Sequence, residues 1–381
     1  MKKILFIAAL LTLVSCNAQN NRNNQNTRDT LTAESANLSL DEAIGEMLLV
    51  GFRGTEIDST HHIWRDIKDY HVGSVILFDY DAPSGTRGRN IKSAAQVKSL
   101  CTQLRRLSPT LLIGIDQEGG NVSRLSTRYG FPHFLSAKRS ATLGDDSVRA
   151  TARRTALTLD NLGINLNFAP VADVDINPRC PVIGAMERSF SADTTVVARC
   201  CTIWIEEQGQ QGVVSCLKHF PGHGSAKGDT HKGLVDVTKT WQRCELAPYR
   251  NLPGEGTMVM TAHVINRQLD PSGLPVSLSP QITSLLRDTL GFRGVIVTDD
   301  LAMGAIAGQY TLAQTLHMAL EAGADLLCLS NNGGHYDPEL VPKVVAIIKR
   351  LVADGTISPD RIQQSAKRLH ALKEKLSASI R

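Results

Sequence analysis

The chain has 381 residues, of which 42% are hydrophobic and 20% are charged, and its formal net charge is +4 at pH 7. This composition is typical of a globular protein, and the absence of a basic run or patch argues against a nucleic-acid-binding protein. Past the N-terminal leader the sequence has no apolar run of about 20 residues, so no further segment is predicted to span a membrane.

The N-terminus has the pattern of a bacterial export signal. Lys2 and Lys3 precede the eleven-residue apolar run ILFIAALLTLV, which is too short to span a bilayer comfortably and has the length of a secretory apolar region. The run ends in LVSC, which places small residues before Cys16 and resembles the lipobox of bacterial lipoproteins. We therefore predict a lipoprotein signal peptide over residues 1–16, with Cys16 as the lipid anchor. The alternative is an ordinary signal peptide with an incidental cysteine.

The rest of the chain divides into a short polar segment and one long globular part. Residues 17–37 are rich in asparagine and cannot bury a core, so we predict a flexible tether. Residues 38–381 suffice for a single catalytic domain, since α/β barrels routinely form one domain of ~250 residues or more. The seven cysteines beyond Cys16 show no CxxC pair and no zinc-like spacing. We expect most of them, including Cys200 and Cys201, to be small buried hydrophobic residues.

The predicted elements begin with a helix at SLDE, where Ser39 and Glu42 have the spacing of a capping box. Eight runs of β-branched and large apolar residues follow. Continuous apolar runs of this kind are typical of strands that are buried on both faces of a parallel sheet. The runs are EMLLVGF, ending at Phe52, GSVILF (73–78), LLIGID (111–116), NLNFAPVAD (165–173), GVVSCLKHF (212–220), TMVMTAHV (257–264), GVIVTDD (294–300) and DLLCLSN (325–331).

Segments with helical periodicity separate most of these runs, and eight such units predict a (β/α)8 TIM barrel. One of the helices, SPQITSLLRDTLG, has Ser279 at its cap, Pro280 in its first turn and Gly291 at its end. The first two units are the least regular, because DYDAPSGTRGRN delays the helix after GSVILF. A doubly wound open sheet is the alternative, but it would need a glycine-rich phosphate turn after the first strand, and LLVGFRGTE is a poor match.

Polar residues recur at the carboxyl ends of the predicted strands, where the chemistry of a TIM barrel takes place. Six strands end in this way, and packing alone does not explain the pattern, because burying an unpaired charge costs several kcal/mol by rough estimate. The sequence therefore predicts a polar pocket at this rim. The residues are Asp116, Asp173, Lys218, His219, His263, Asp299, Asp300, Ser330 and Asn331.

The segment KHFPGHGSAKGDTH, residues 218–231, follows the fifth predicted strand. It does not fit a phosphate-binding loop, because GxxxxGK[ST] is absent. Its three histidines could offer metal ligands, but Pro221 and Gly222 prevent a helical pair of histidines and no HExxH occurs, so a zinc site is the weaker interpretation. We interpret the segment as a mobile catalytic loop in which Asp229 orients the imidazole of His231.

Four segments carry a resemblance to a known family. KHFPGHG, four further residues and DTH resemble the loop of bacterial family 3 glycoside hydrolases of the β-N-acetylglucosaminidase type. GVIVTDDLAM resembles the nucleophile segment of that family, and IGIDQEGGNVSRL and ERSF resemble its sugar-binding segments. The resemblance extends from about Leu38 to Leu376. It implies a barrel without the second α/β domain that family 3 β-glucosidases usually carry.

The resemblance also implies roles for single residues. Asp299 is the implied nucleophile, with Asp300 as the alternative, and the enzyme would retain anomeric configuration. His231 would protonate the leaving oxygen and then deprotonate water, while Asp229 holds its tautomer. The implied sugar-binding residues are Asp116, Arg124, Arg188, Lys218 and His219, and a weaker assignment covers His223, Lys227, His263 and Ser330. For each binding residue the alternative is a structural ion pair at the barrel rim.

The sequence and the resemblance together predict an exported, lipid-anchored exo-β-N-acetylglucosaminidase. Its substrates would be peptidoglycan fragments, chito-oligosaccharides or glycans with a terminal GlcNAc, and we expect a monomer with neither a cofactor nor a metal ion. Contact with a membrane would be through the N-terminal lipid only. The enzymatic alternatives are a GlcNAc-glycoside phosphorylase and another family 3 β-glycosidase. The least favoured alternative is a non-catalytic glycan-binding lipoprotein, because no catalytic residue is missing.

Overall fold

Eight parallel strands form the centre of the fold in the computed structural model, which describes residues 38–254 and 256–379. The sheet order is β7-β6-β5-β4-β3-β2-β1-β8, so each strand pairs with its neighbours in sequence. A bridge between Val297 and Leu326 joins β7 to β8 and closes the barrel. The predicted (β/α)8 barrel is therefore confirmed. The strands are β1 Leu48–Gly51, β2 Ser74–Leu77, β3 Leu112–Ile115, β4 Leu166–Asn167, β5 Val214–Phe220, β6 Thr257–Thr261, β7 Val295–Thr298 and β8 Leu327–Leu329.

The helices surround the strands in the order that the sequence predicts. Ser39 caps the first helix, and Glu42 completes the predicted capping box. The helices are α1 Leu40–Glu46, α2 His62–Lys68, α3 Ala94–Leu107, α4 Ala137–Thr142, α5 Asp145–Leu162, α6 Thr194–Gly209, α7 Pro280–Ser284, α8 Gly304–Ala307, α9 Leu312–Glu321, α10 Leu340–Ala353 and α11 Pro359–Ser379. Short 3-10 segments cover Thr127–Tyr129, Gly184–Met186, Arg243–Tyr249 and Val276–Leu278, and Leu285–Thr289 is a π-helical turn. None of the helices in the described ranges is long and apolar enough to cross a membrane.

Every residue of the eight strands is buried, as the continuous apolar runs predict. The fourth strand is shorter than the predicted run 165–173, because regular pairing ends at Asn167 and Pro170 has no N–H to donate to a ladder. Beyond that point the chain still follows β5, since the Ala172 N–H donates to the Lys218 carbonyl at 2.7 Å. Asp173 therefore still lies at the rim of the barrel.

Two hairpins extend the barrel rim beside β2 and β3. The first pairs Tyr80–Asp81 with Thr86–Arg87, and the second pairs Gln117–Gly119 with Val122–Ser123. The buried Asp81 carboxylate fixes the first hairpin, because Arg89 contacts it at 2.6 Å and Arg53 at 2.8 Å. These hairpins form the wall of the barrel mouth on the side of β2 and β3.

The seven cysteines of the described part of the chain are all free thiols. Six are buried, including Cys200 and Cys201 on α6, and Cys244 is exposed. This outcome agrees with the expectation that most of them pack as small hydrophobic residues. Cys16 lies outside the described residues, as do the predicted signal peptide 1–16 and tether 17–37.

Candidate active site

A cavity of about 420 Å³ opens at the carboxyl ends of the strands. We call it the catalytic cavity. Strands β2, β5, β6 and β8 and the segments that follow β3, β4 and β7 contribute residues to its wall, so residues far apart in sequence meet in one place. Among the residues that the sequence predicts for the site, those lining the cavity are Asp116, Arg124, Arg188, Lys218, His219, His231, Asp299, Asp300 and Ser330.

The floor of the catalytic cavity is a network of charged side chains. The Lys218 ammonium contacts the carboxylates of Asp116 and Glu118, each at 2.7 Å. Arg188 donates from Nε and Nη2 to the two oxygens of Glu118, at 2.7 and 2.8 Å. Arg124 contacts Asp116 more loosely, at 3.3 Å. An ammonium has three donors, so Lys218 keeps one N–H for a ligand, and the exposed lone pairs of Asp116 remain free to accept hydroxyl protons.

The network holds its members in their charged forms. Burial raises the pKa of Asp116 and Glu118, but the neighbouring cations Lys218 and Arg188 outweigh burial and lower the pKa of both carboxyl groups. Arg124 lowers the pKa of Asp116 further. Burial lowers the pKa of Lys218, and the two carboxylates outweigh it, so that the pKa of this ammonium is raised. The floor therefore presents fixed charges to a ligand.

Asp299 and Asp300 follow β7 and differ in their surroundings. Burial raises the pKa of Asp299, but the imidazoles of His263, His219 and His231 outweigh it, so this pKa lies below its ordinary value. Burial raises the pKa of Asp300, and its oxygens accept hydrogen bonds from Ser330 N–H at 3.0 Å and from Ser330 Oγ. Neighbouring carboxyl groups whose pKa values are pushed apart suit different roles. Both carboxyl groups line the cavity, and Asp299 is the one whose lowered pKa favours the ionised form.

His231 and Asp229 lie on the loop that leaves β5. The Asp229 Oδ1 accepts a hydrogen bond from His231 Nδ1 at 2.8 Å and another from the His231 backbone N–H at 2.9 Å. The carboxylate thus orients the imidazole and leaves Nε2 available. Although 66% of the His231 side chain is exposed to solvent, the residue lines the catalytic cavity together with Asp299. Asp229 itself does not line the cavity.

His219 and His223 share a buried carboxylate with each other. Asp173 accepts from His219 Nδ1 at 2.7 Å and from the His223 backbone N–H at 2.7 Å. The His219 ring lines the cavity, whereas the His223 ring lies away from it. Burial lowers the pKa of His223 to about 4, so this imidazole is neutral at ordinary pH. His223 therefore supports the turn after β5 rather than contacting the cavity.

The remaining predicted site residues lie outside the cavity wall. His263 is buried and bridges the Ser277 hydroxyl, at 2.7 Å, to the Asp300 carbonyl, at 2.9 Å. Lys227 is exposed on the outer part of the loop. Arg188, by contrast, lines the cavity, but all three of its guanidinium nitrogens already donate hydrogen bonds to Glu118 or to the Val182 carbonyl.

Glu118 is the main site residue that the sequence does not single out. Its carboxylate joins Lys218 to Arg188, and both partners are themselves predicted sugar-binding residues. The available signal is its position two residues after Asp116 in IGIDQEGG, on the hairpin strand Gln117–Gly119. Two residues of a strand that are two apart point to the same face, so Glu118 follows Asp116 into the cavity.

Fold and site together define a TIM-barrel enzyme with a polar cavity and carboxylate and imidazole groups at its strand ends. Residues 39–372 match the family model described as the glycosyl hydrolase family 3 N terminal domain. A beta-hexosaminidase of Neisseria meningitidis serogroup C is 34% identical over 309 residues, covering 78% of this chain and 79% of the relative. The chain belongs to glycosyl hydrolase family 3 and is a glycoside hydrolase.

Solved structures of the family have the same fold. A glycoside hydrolase family 3 beta-N-acetylglucosaminidase from Paenibacillus sp. superposes with a TM-score of 0.80 at 35% identity over 89% of this chain, and this chain spans 63% of that longer one. A beta-N-acetylhexosaminidase from Beutenbergia cavernae superposes with a TM-score of 0.77 at 29% identity, over 89% of this chain and 100% of its own. The barrel thus occurs both alone and as part of longer enzymes.

Proposed function

We propose that the protein is a retaining exo-β-N-acetylglucosaminidase that removes a terminal β-GlcNAc through a covalent glycosyl-aspartate. One observation carries the proposal: the ionised Asp299 and the Asp229-oriented His231 line the same cavity from two different crossovers. The names of the related hexosaminidases support the choice of sugar. The charged floor formed by Asp116, Lys218 and Glu118 suits the hydroxyl groups of a bound pyranose.

The first chemical step uses both catalytic side chains. An Asp299 carboxylate oxygen attacks C1 of the sugar, and the bond between C1 and the leaving oxygen breaks. The imidazolium of His231 donates its Nε2 proton to that oxygen and becomes neutral. Asp229 accepts from Nδ1 at 2.8 Å, so its negative charge stabilises the imidazolium before the transfer. The products are the free aglycone alcohol and a glycosyl ester of Asp299.

The second step reverses these roles. Neutral His231 accepts a proton from a water molecule through Nε2, and the water oxygen attacks C1. The ester bond breaks, Asp299 regains its negative charge, and GlcNAc leaves with the β configuration because two inversions have occurred. A single imidazole can donate a proton in the first step and accept one in the second, so His231 serves both steps.

The proposal is tested by release of nitrophenol from 4-nitrophenyl β-GlcNAc and from the matching β-glucoside. We expect turnover of the first, little of the second, and loss of turnover in Asp299→Asn. Asp300→Asn tests the neighbouring carboxyl group, and more residual activity in Asp299→Asn than in Asp300→Asn would contradict the assignment. NMR of the first-formed anomer tests retention. Turnover that requires inorganic phosphate and yields GlcNAc 1-phosphate would identify the phosphorylase instead.

We also propose that the protein is exported as a monomer and anchored by a lipid on Cys16, and that its substrates are peptidoglycan fragments, chito-oligosaccharides or glycans. The signal-like residues 1–16 motivate this proposal. Membrane fractionation of wild type and Cys16→Ala tests the anchor, and release of the variant into the soluble fraction is the expected result. Product analysis with muropeptides and chitobiose side by side ranks the substrates.

A further inference from the structure

A second cavity of about 570 Å³ adjoins the catalytic cavity. It lies between the segments that follow β2 and β3, and Tyr80, Asn121 and Arg124 line both cavities. Polar side chains form most of its wall, together with Arg87 and His133. The full lining is Asp79, Tyr80, Arg87, Gly120, Asn121, Ser123, Arg124, Ser126, Thr127, Pro132, His133 and Phe134.

The second cavity lies next to one end of the sugar in the proposed complex. The argument rests on the proposed function, in which C1 lies against Asp299 after β7. Strands β3 and β7 are four places apart in the closed sheet of eight, so they face each other across the barrel. A pyranose with C1 at Asp299 therefore points its far end, which carries O4 and O6, toward Asp116 and Arg124. The second cavity begins at that end.

The charge balance favours an anion in the second cavity. Within the part of the chain that the structure describes, the connected ion-pair network contains the cations Arg87, Arg124, Lys218 and Arg188 and the carboxylates Asp79, Asp116 and Glu118. The network thus has one more cation than it has carboxylates. This surplus lies at the second cavity, where Asp79 contacts Arg87 at 3.5 Å and Arg124 at 4.0 Å.

Two further observations concern the guanidinium groups of these arginines. The Nε of Arg124 is buried and has no hydrogen-bond partner among the described residues. The side chain of Arg87 is 55% exposed, and its guanidinium lies 5.7 Å from the centre of the Tyr80 ring. A planar guanidinium binds sulfate or phosphate oxygens well, because its N–H groups match their spacing.

We propose that the second cavity binds an anionic ester, a sulfate or a phosphate, on O6 of the terminal hexosamine. O6 stands on an exocyclic carbon that rotates freely, so an ester there can pass Arg124 and reach Arg87. The enzyme would then accept terminal GlcNAc residues that carry an acidic group as well as unmodified ones. Arg87 is a substrate-selecting residue in this proposal and takes no part in bond cleavage.

The test compares 4-nitrophenyl β-GlcNAc with its 6-O-sulfo derivative in wild type, Arg87→Gln and Arg128→Gln. Arg128 is exposed on the neighbouring 3-10 turn and does not line the second cavity, so Arg128→Gln controls for net charge. We expect Arg87→Gln to lower kcat/KM about tenfold for the sulfated substrate only, since a lost charge-assisted hydrogen bond has about this effect. Arg128→Gln should leave both substrates unchanged. Added salt should reduce the wild-type preference.

Calorimetry separates the failure of this inference from failure of the proposed function, because it measures free sugars without turnover. We expect GlcNAc 6-sulfate and GlcNAc 6-phosphate to bind wild type more tightly than GlcNAc, and Arg87→Gln to remove the difference. Equal binding of all three sugars to wild type would overturn the inference. So would rejection of the sulfated aryl glycoside by an enzyme that cleaves the unmodified one. Release of intact chitobiose from the aryl chitobioside, without dependence on Arg87, would place a neutral sugar in the second cavity and overturn the anionic assignment.

Discussion

The backbone N–H of Ala305 donates a hydrogen bond to the carbonyl of Thr230 at 3.1 Å, so the loop that carries His231 is fixed to the segment that follows Asp299. The neighbouring Gly304 makes this contact possible. A Cβ at Gly304 would stand 2.7 Å from the His231 carbonyl oxygen and 3.3 Å from the Lys232 carbonyl carbon. The segments that carry the proposed nucleophile and the proposed acid/base residue are thus in direct contact, and Gly304 lies where there is no room for a side chain.

Gly304→Ala should displace the His231 loop and leave Asp299 in place. We expect kcat/KM for chitobiose to fall about tenfold, because a misplaced proton donor costs most when the leaving group is poor. Activity on the nitrophenyl glycoside should fall less, since nitrophenolate leaves with little protonation. Gly209→Ala on α6 is the matched control, because its Cβ would meet no atom within 4 Å. Equal losses on both substrates would contradict a positioning role for Gly304.

His231→Ala should separate the two halves of the proposed mechanism. We expect chitobiose cleavage to fall by about 100- to 10,000-fold, the usual contribution of general acid–base catalysis. Formation of the Asp299 ester from the nitrophenyl glycoside should persist, because this leaving group needs no proton. A burst of nitrophenol followed by slow turnover in stopped-flow measurements would show the ester accumulating. Loss of the burst as well would argue that His231 does not act as the acid/base residue.

The barrel could be predicted from the sequence because each strand is buried on both faces and therefore appears as an uninterrupted apolar run. The strand ends could be predicted for the same reason, since Asp116, Lys218 and Asp299 directly follow such runs. Contacts between side chains that lie on different strand-to-strand connections could not be predicted. Glu118 pairs with Arg188 across 70 positions, and only the folded distance shows that Arg188 is already bound to a carboxylate.

The rim hairpin 80–87 could not be predicted from the sequence either. Its strands are two residues long, which is too short to give a periodic pattern, so this part of the sequence has the pattern of a long loop before the next helix. The buried Asp81 carboxylate stabilises the hairpin through hydrogen bonds from Arg53, 28 positions away in sequence, and from Arg89, 8 positions away. The second cavity depends on this hairpin, so the cavity could not be predicted from the sequence.

Glu118→Gln should weaken both the fold and sugar binding. The substitution leaves Lys218 paired only with Asp116 and removes the carboxylate that pairs with Arg188. Breaking a buried ion pair costs about 3 kcal/mol of unfolding free energy. Urea unfolding should show this loss, and KM for the nitrophenyl glycoside should rise. Asp41→Asn breaks an exposed pair with Lys349 and should cost about 0–1 kcal/mol. A stability loss with an unchanged KM would limit Glu118 to a structural role.

Glu245→Gln should stabilise the protein at alkaline pH. Burial raises the pKa of Glu245 from 4.5 to about 7, so the folded state binds this proton more tightly than the unfolded chain does. Stability due to this group therefore falls as pH rises from about 4.5 to about 7. Glutamine stays neutral and can still accept from the Gln242 N–H.

We expect urea unfolding to show little difference between wild type and Glu245→Gln near pH 4.5. At pH 8 the variant should be more stable by on the order of 1–3 kcal/mol. Glu374→Gln, at an exposed position on α11, should show no such pH-dependent difference. A variant that is less stable than wild type at pH 8 would mean that the charged carboxylate has a stabilising partner.

The cavity floor and the loop that carries His231 differ in their exposure to solvent. Asp116, Glu118, Lys218 and Arg188 form ion pairs with one another in the interior, whereas the His231 side chain is 66% exposed, on a loop that is hydrogen-bonded to Ala305. In the proposed mechanism, the groups that contact the sugar and the group that protonates the leaving oxygen therefore lie on separate segments of the chain. Under the proposed function, a design that transfers the sugar to an alcohol instead of water should therefore begin with the exposed Lys227 and Lys232 and leave the charged floor unchanged.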